Sequence, residues 1–286
     1  MTRVALAYDS GPDAGMGHLS RLQALGAALS RFGTTTDLVP AETPGVEADV
    51  VVVDSYRHRA DDRERFRGRL VAAVDDLYRD LATDVVVDPS PGADAAAHRA
   101  APCVLAGPSF ALLDPALAGL VTRPVDGPVV VALVATGAAD HAGTGAHMAM
   151  ALVDLLPGVH VQLAIGKWAA SEAPPGVAPI RSETGLGTAL ADADLVITAA
   201  GVTLLEALAL GRPTIAVVLA ENQRRAAQGA EAAGACGAAT AADAPMLAAE
   251  LATALPRRQE LSAAARCLVD GRGAERVAET LLARLG

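Results

Sequence analysis

Short apolar runs recur along the chain at Val4–Tyr8, Val50–Val53, Val71–Val74, Val85–Val87, Val129–Val134, Val159–Ile165, Leu195–Thr198 and Thr214–Leu219. Several are unbroken Val, Ile and Leu with no polar alternation. A strand of that kind is buried on both faces, as in a parallel sheet covered by helices. Helical patterns follow many of them: His18–Arg31, Thr144–Leu156, Leu204–Leu210 and Ala226–Ala233. Repeated strand–helix units imply right-handed crossovers and a doubly wound α/β architecture. Two prolines and a glycine break the pattern in Val121–Pro128, just before a new buried strand, so this segment is expected to link two halves. The expected domains are residues 1–124 and 125–286, both Rossmann-like, with the last helix free to pack back on the first half.

Composition narrows the function classes. The 286 residues are 52% hydrophobic but only 2% aromatic, so the core must be built from Ala, Val and Leu. So few rings supply no stacking platform for single-stranded nucleic acid. The formal charge of −10 argues against a phosphate-backbone binder, and no nucleic-acid partner is expected. Three cysteines far apart, Cys103, Cys236 and Cys267, make neither a disulfide framework nor a zinc spacing. The first apolar run is too short for a signal peptide, and no stretch reaches the roughly 18 apolar residues of a membrane span. A soluble, cytoplasmic protein is the expectation.

Two glycine-containing turns follow buried strands. Gly15-Met16-Gly17-His18-Leu19-Ser20-Arg21 follows the first strand. Glycines there allow a sharp turn and close approach of a ligand, and the next helix points free amides at it. His18 sits in the first helical turn, where the dipole disfavours imidazolium and leaves a neutral ring suited to act as a general base. Its alternative is a capping role. Arg21, one turn on, faces either the ligand or solvent. Ala199-Ala200-Gly201-Val202-Thr203-Leu204-Leu205-Glu206 repeats the arrangement after Leu195–Thr198. Gly201 permits close approach, the amides of Val202 and Thr203 suit phosphate oxygens, and the Thr203 hydroxyl adds a bond. Glu206, about one turn in, is placed to accept ribose hydroxyls from a base-bearing diphosphate, or it is an ordinary helix acid. Asn222 and Gln223 follow the strand Thr214–Leu219, at the sheet edge where open α/β folds bind ligands, and their amides suit sugar hydroxyls, with a helix cap as the alternative for Asn222.

Other groups are less specific. Gly137 and Asp140, in Thr136-Gly137-Ala138-Ala139-Asp140, make a further phosphate- or sugar-facing loop. Asp75 and Asp76 end a strand and either orient substrate or cap a helix. Asp192 and Asp194 have metal-pair spacing but precede their strand, at the wrong edge of the sheet. His58, His98, His147 and His160 are isolated and expected at the surface or in loops, and His141 gains interest from its neighbour Asp140. No Ser/His/Asp set and no nucleophile elbow stands out.

The motifs at Gly15–Arg21, Asp75–Leu77, Ala106–Leu113, Gly137–Asp140, Ala200–Glu206, Asn222–Gln223 and Asp270–Gly273 occur in the order of one family. The chain resembles the PseG-type UDP-sugar hydrolases and the related SpsG-like spore-coat polysaccharide proteins, over nearly its whole length. Gly201–Gln223 is also similar to the donor-binding half of MurG-like glycosyltransferases. The resemblance implies a GT-B fold with two facing Rossmann-like domains, a UDP-sugar substrate held mainly by the second, and no metal or other cofactor. It implies that His18 is the catalytic histidine, that Gly201, Thr203 and Leu204 form the diphosphate turn, that Glu206 holds the ribose, and that Asn222 and Gln223 lie near the sugar. The chain departs from the family where Leu113 is followed by Asp114-Pro115, where Phe110 replaces a tyrosine, where Gly137-Ala138-Ala139-Asp140 replaces a Gly-Gly-Ser-Asp loop, and where no tryptophan follows Asp54-Ser55-Tyr56. These departures fall on the sugar side. The expected reaction is hydrolysis of a nucleotide-sugar by water attack at the anomeric carbon, with inversion. The alternatives are glycosyl transfer from the same donor and non-catalytic binding.

Overall fold

The computed structural model describes all residues except 10, 12–13, 60–61, 63–64, 139, 141–142, 170–171 and 182–184. The chain forms two compact units, one of Met1–Pro115 with Gly271–Gly286 and one of Ala116–Asp270. Val121–Pro128 therefore lies inside the second unit, where Arg258 donates to the carbonyls of Val125 and Gly127. No helix among the described residues is long and apolar enough to cross a membrane.

The first unit is a six-stranded sheet of parallel pairs in the order β2-β1-β3-β4-β5-β6. Its strands are β1 (Arg3–Tyr8), β2 (Thr35–Pro40), β3 (Val46–Asp54), β4 (Phe66–Val74), β5 (Val85–Asp88) and β6 (Val104–Ala106). Helix α1 (Gly17–Ser30) follows β1, and the final helix α8 (Gly273–Leu285) lies beside it. Side chains alternate across the sheet, as strand geometry requires. Val4, Leu6, Val50 and Val52 pack with Leu22, Leu25 and Leu29 of α1 and Val277 and Leu281 of α8. Ala5, Ala7, Val51 and Val53 face the other way, towards Ala41 and Phe66. Gly273 opens α8 because a Cβ there would come within 2.3 Å of the Ala111 backbone.

The second unit also holds a six-stranded sheet of parallel pairs, in the order β12-β11-β10-β7-β8-β9. These strands are β7 (Val131–Ala135), β8 (His160–Ala164), β9 (Ala178–Ile180), β10 (Leu195–Ala199), β11 (Thr214–Val217) and β12 (Gly237–Ala239). Its helices are α2 (Thr144–Leu155), α3 (Gly187–Asp192), α4 (Val202–Ala209), α5 (Glu221–Ala232), α6 (Ala244–Ala254) and α7 (Arg258–Leu268). Leu152 of α2 and Leu247 and Leu251 of α6 pack on Val134, Ile197 and Ile215 of the sheet. Asp194 clamps the opposite edge from the motifs: its carboxylate accepts from the amides of Val130 (2.8 Å) and Val131 (2.9 Å) and from Arg123 (2.9 Å).

All eight expected strands are present. The four that the apolar pattern does not reveal, β2, β6, β9 and β12, are the outermost strands of the two sheets. An edge strand is paired on one side only, so it needs neither a long run nor full burial. Most of β2 is exposed or half-buried, and the other three have three residues each.

Candidate functional site

The order of the first sheet reverses between β1 and β3, which makes the carboxyl ends of these strands its topological switch point. Gly15, with φ of +71°, turns the chain after β1, and Gly17 begins α1. His18 is thereby placed beside Asp54, the last residue of β3. His18 Nδ1 lies 2.6 Å from Asp54 Oδ1, with both side chains almost fully buried. A carboxylate at that distance selects the tautomer that carries its proton on Nδ1, leaving the Nε2 lone pair to take a proton. The Tyr56 ring meets the imidazole edge-on at 4.5 Å.

Arg21 does not face solvent. It is buried, and its fork grips Asp54 through Nε to Oδ2 at 2.7 Å and Nη2 to Oδ1 at 2.8 Å. A third contact, Nη1 to Asp76 Oδ2 at 3.2 Å, draws in the second carboxylate, which also accepts from the Tyr56 hydroxyl at 3.2 Å. Burial alone would raise the Asp54 pKa. The Arg21 charge and the bonds from His18 and Arg21 outweigh it and hold Asp54 below the ordinary carboxylate range. The planar Arg fork neutralises the acid while leaving it able to orient the imidazole.

Asp75 and Asp76 diverge. No helix starts at the pair, since Tyr78 and Asp80 adopt positive φ in a tight turn, so the capping alternative does not apply. Asp76 joins Arg21, whereas Asp75 is fully buried and turned inward. It accepts from Arg79 Nε and Arg79 N, both at 2.8 Å, and from Leu77 N at 3.2 Å. Those bonds hold the Asp75 carboxylate within the fold. The expectation of surface histidines also fails for two of them. His98 is buried with Nε2 at 3.3 Å from Asp88, and His58 is buried against Phe66. Both lie in connections that fold back over strand ends, which local sequence does not reveal. His147 and His160 are exposed. His141 and Ala139 lie outside the described residues.

The second sheet reverses order between β7 and β10. Gly201 ends β10's turn and Val202 begins α4, which has no side-chain cap. The amides of Val202 and Thr203 stand in its first turn, where no preceding helical carbonyl serves them. The Leu204 amide is already bonded to the Gly201 carbonyl at 3.2 Å and its side chain is buried, so Leu204 supports the turn from behind. Glu206 is half-buried farther along the same helix. Across the switch point, Gly137 is exposed with φ of +108°, but the α2 start beside it is filled. Asp140 accepts from Thr144 N at 2.9 Å and Gly145 N at 2.7 Å, so this loop's acid caps α2. Asn222 is exposed at the start of α5. The Gln223 side-chain oxygen folds back to the Leu219 amide at 2.9 Å, which occupies its acceptor locally. Cys236 is buried, and burial pushes its thiol up to about 12, so it supplies no thiolate near neutral pH.

Sequence reasoning missed Asp54 and Tyr56. The available signal was that Asp54 closes a buried strand at its carboxyl end, the feature that drew attention to Asp75.

The two sheets with their helices define a GT-B fold, and the matches to known structures agree. The chain resembles the glycotransferase of kitacinnamycin at 16% identity and a TM-score of 0.59, with 99% of each chain covered. It resembles MurG of Acinetobacter baumannii at 15% identity and a TM-score of 0.59, covering 98% of this chain and 99% of that one. The calicheamicin glycosyltransferase CalG4 matches at 15% identity and a TM-score of 0.60, with 100% and 98% covered. In sequence, residues 182–281 match the glycosyltransferase family 28 C-terminal domain. No curated protein matches the chain in sequence.

Proposed function

We propose that the protein is a metal-independent enzyme that transfers a glycosyl group from a nucleotide-sugar, of the UDP type, to a hydroxyl acceptor. The observation that carries this reading is the uncapped start of α4 at a switch point, inside the stretch matching the family 28 C-terminal domain. There the amides of Val202 and Thr203 and the Thr203 hydroxyl bind the diphosphate, and Glu206 binds the ribose. Gly137, Asn222 and Gln223 lie towards the rest of the donor. In the other unit, Gly15 and Gly17 shape the turn that presents His18. Asp54 holds Nδ1–H, so Nε2 takes the proton of the acceptor hydroxyl as its oxygen bonds to the anomeric carbon. The bond from that carbon to the diphosphate oxygen breaks, and the electron pair leaves with the nucleotide, whose charge the α4 amides stabilise.

Hydrolysis is the second reading. His18 is only 2% exposed, with Tyr56 against its ring, which favours water over a bulky acceptor. The Gly15–Arg21 motif supports it as well.

Product analysis with a panel of UDP-sugars tests both. Nucleotide release that depends strictly on an added acceptor alcohol supports transfer. Release with free sugar in plain buffer replaces transfer by hydrolysis, and donors unchanged after hours overturn both in favour of a binding protein. His18→Asn is expected to abolish turnover while UDP still protects against heat. UDP at a hundred times its dissociation constant adds about 2.7 kcal/mol of stability. Turnover retained in that variant rejects His18 as the base.

A further inference from the structure

A cavity of about 60 Å³ lies in the first unit, on the sheet side that α1 and α8 do not cover; Ser55, His58, Glu42 and Arg57 line it, with Ala41 and Phe66 as its apolar wall. It is distinct from the His18–Asp54 pair. Asp54 and Ser55 are consecutive, and the first turns to His18 while the second donates to Asp9 at 2.7 Å. The walls are held from behind. Asp9 also accepts from the Tyr56 amide at 2.9 Å, and Arg79 donates to the carbonyls of Ser55 and His58.

Two features define what fits. His58 is 4% exposed, and its Nδ1 has no hydrogen-bond partner among the described residues; Asp62 lies 3.9 Å away. A buried polar atom left in that state calls for a partner. Carboxylates and guanidinium groups stand side by side around the cavity. Arg57 lies 4.0 Å from Asp9, and Arg65 lies 3.5 Å from Asp62 with its guanidinium over the Phe66 ring. An incoming anion would meet the Glu42 and Asp9 carboxylates, and the described lining cations, Arg57 and Arg65, each stand beside an acid. An uncharged hydroxyl can donate or accept, so it satisfies imidazole and carboxylate alike. The volume exceeds that of a single water and admits a few heavy atoms.

We propose that this cavity binds an uncharged polyhydroxyl group, one ligand hydroxyl bonding His58 Nδ1 and a neighbouring one donating to the Glu42 carboxylate. The site stands independently of the reaction proposed above. Titration of the full chain with glycerol, read on the His58 ring resonances by NMR, tests it. A saturable shift at His58 is expected, with His147 and His160 unmoved, and inorganic phosphate is expected to give none. Glu42 is exposed, so Glu42→Ala leaves the fold intact, and it is expected to weaken binding at least tenfold. His58→Phe, followed on the Phe66 ring resonances, removes the imidazole partner and is expected to abolish it. Shifts that do not saturate, a response to phosphate alone, or unchanged affinity in Glu42→Ala each overturn the proposal.

Discussion

Asp54 is the residue on which the first unit's chemistry and stability converge. Its folded-state pKa lies below the ordinary value, so its contribution to stability is fully present above the unfolded-state pKa, about pH 4, and is lost as pH falls through the depressed folded value. Asp54→Asn removes the charge that pairs with buried Arg21, and breaking one side of a buried pair costs about 3–5 kcal/mol. The variant is expected to unfold at lower denaturant concentration at pH 7, with the gap to the parent closing below about pH 4. A gap that persists unchanged into acid would mean that the carboxylate charge is not what stabilises the site. The same change should lower turnover by about 10²–10⁴-fold, the range of general-base assistance, because the imidazole loses the group that fixes its tautomer. The place of His18 in a first helical turn was legible in the sequence because a glycine turn leads into its helix. Its partner was not, because 36 residues separate the two and only strand pairing brings them together.

At the scale of elements, helix starts decide which loops are available. The α2 start is closed by Asp140 and the α4 start has no side-chain cap, although both follow strands flanking one switch point. Proline suits the first helical position, so Val202→Pro deletes one amide without disturbing α4. UDP affinity is expected to fall about 10- to 100-fold, the worth of a hydrogen bond to a charged group, with thermal stability unchanged. Unchanged affinity, measured by calorimetry, would move the diphosphate away from this turn. Both turns were visible as strand, glycine and helix, but the sequence pattern alone did not show that Asp140 caps α2. An acid four residues before a helix amide reads identically whether it faces ligand or folds back as a cap.

For the whole molecule, the first unit depends on a segment from the far end of the chain. Ala274, Val277, Ala278 and Leu281 of α8 are buried in its core, and Arg31 pairs with Glu275 at 2.7 Å. Burying a Val or Leu side chain contributes about 1.5–3 kcal/mol, and domains are stable by only about 5–15 kcal/mol in total. Truncation before Gly271 is therefore expected to leave amides of β1 and β3 unprotected in hydrogen exchange. Protection of those strands retained after truncation would show that α8 is dispensable.

The sequence by itself determined the two α/β halves, their interior strands and the turns that present His18 and the α4 amides. These follow from hydrophobic run length, helical period and glycine placement, all properties of neighbours in the chain. The tertiary structure alone decided which strands form the edges, that Asp54 and not Asp75 meets His18, that Asp140 closes a helix, and that α8 completes the first core. Each of those depends on sheet order and long-range packing, and many orders are compatible with one pattern of buried strands.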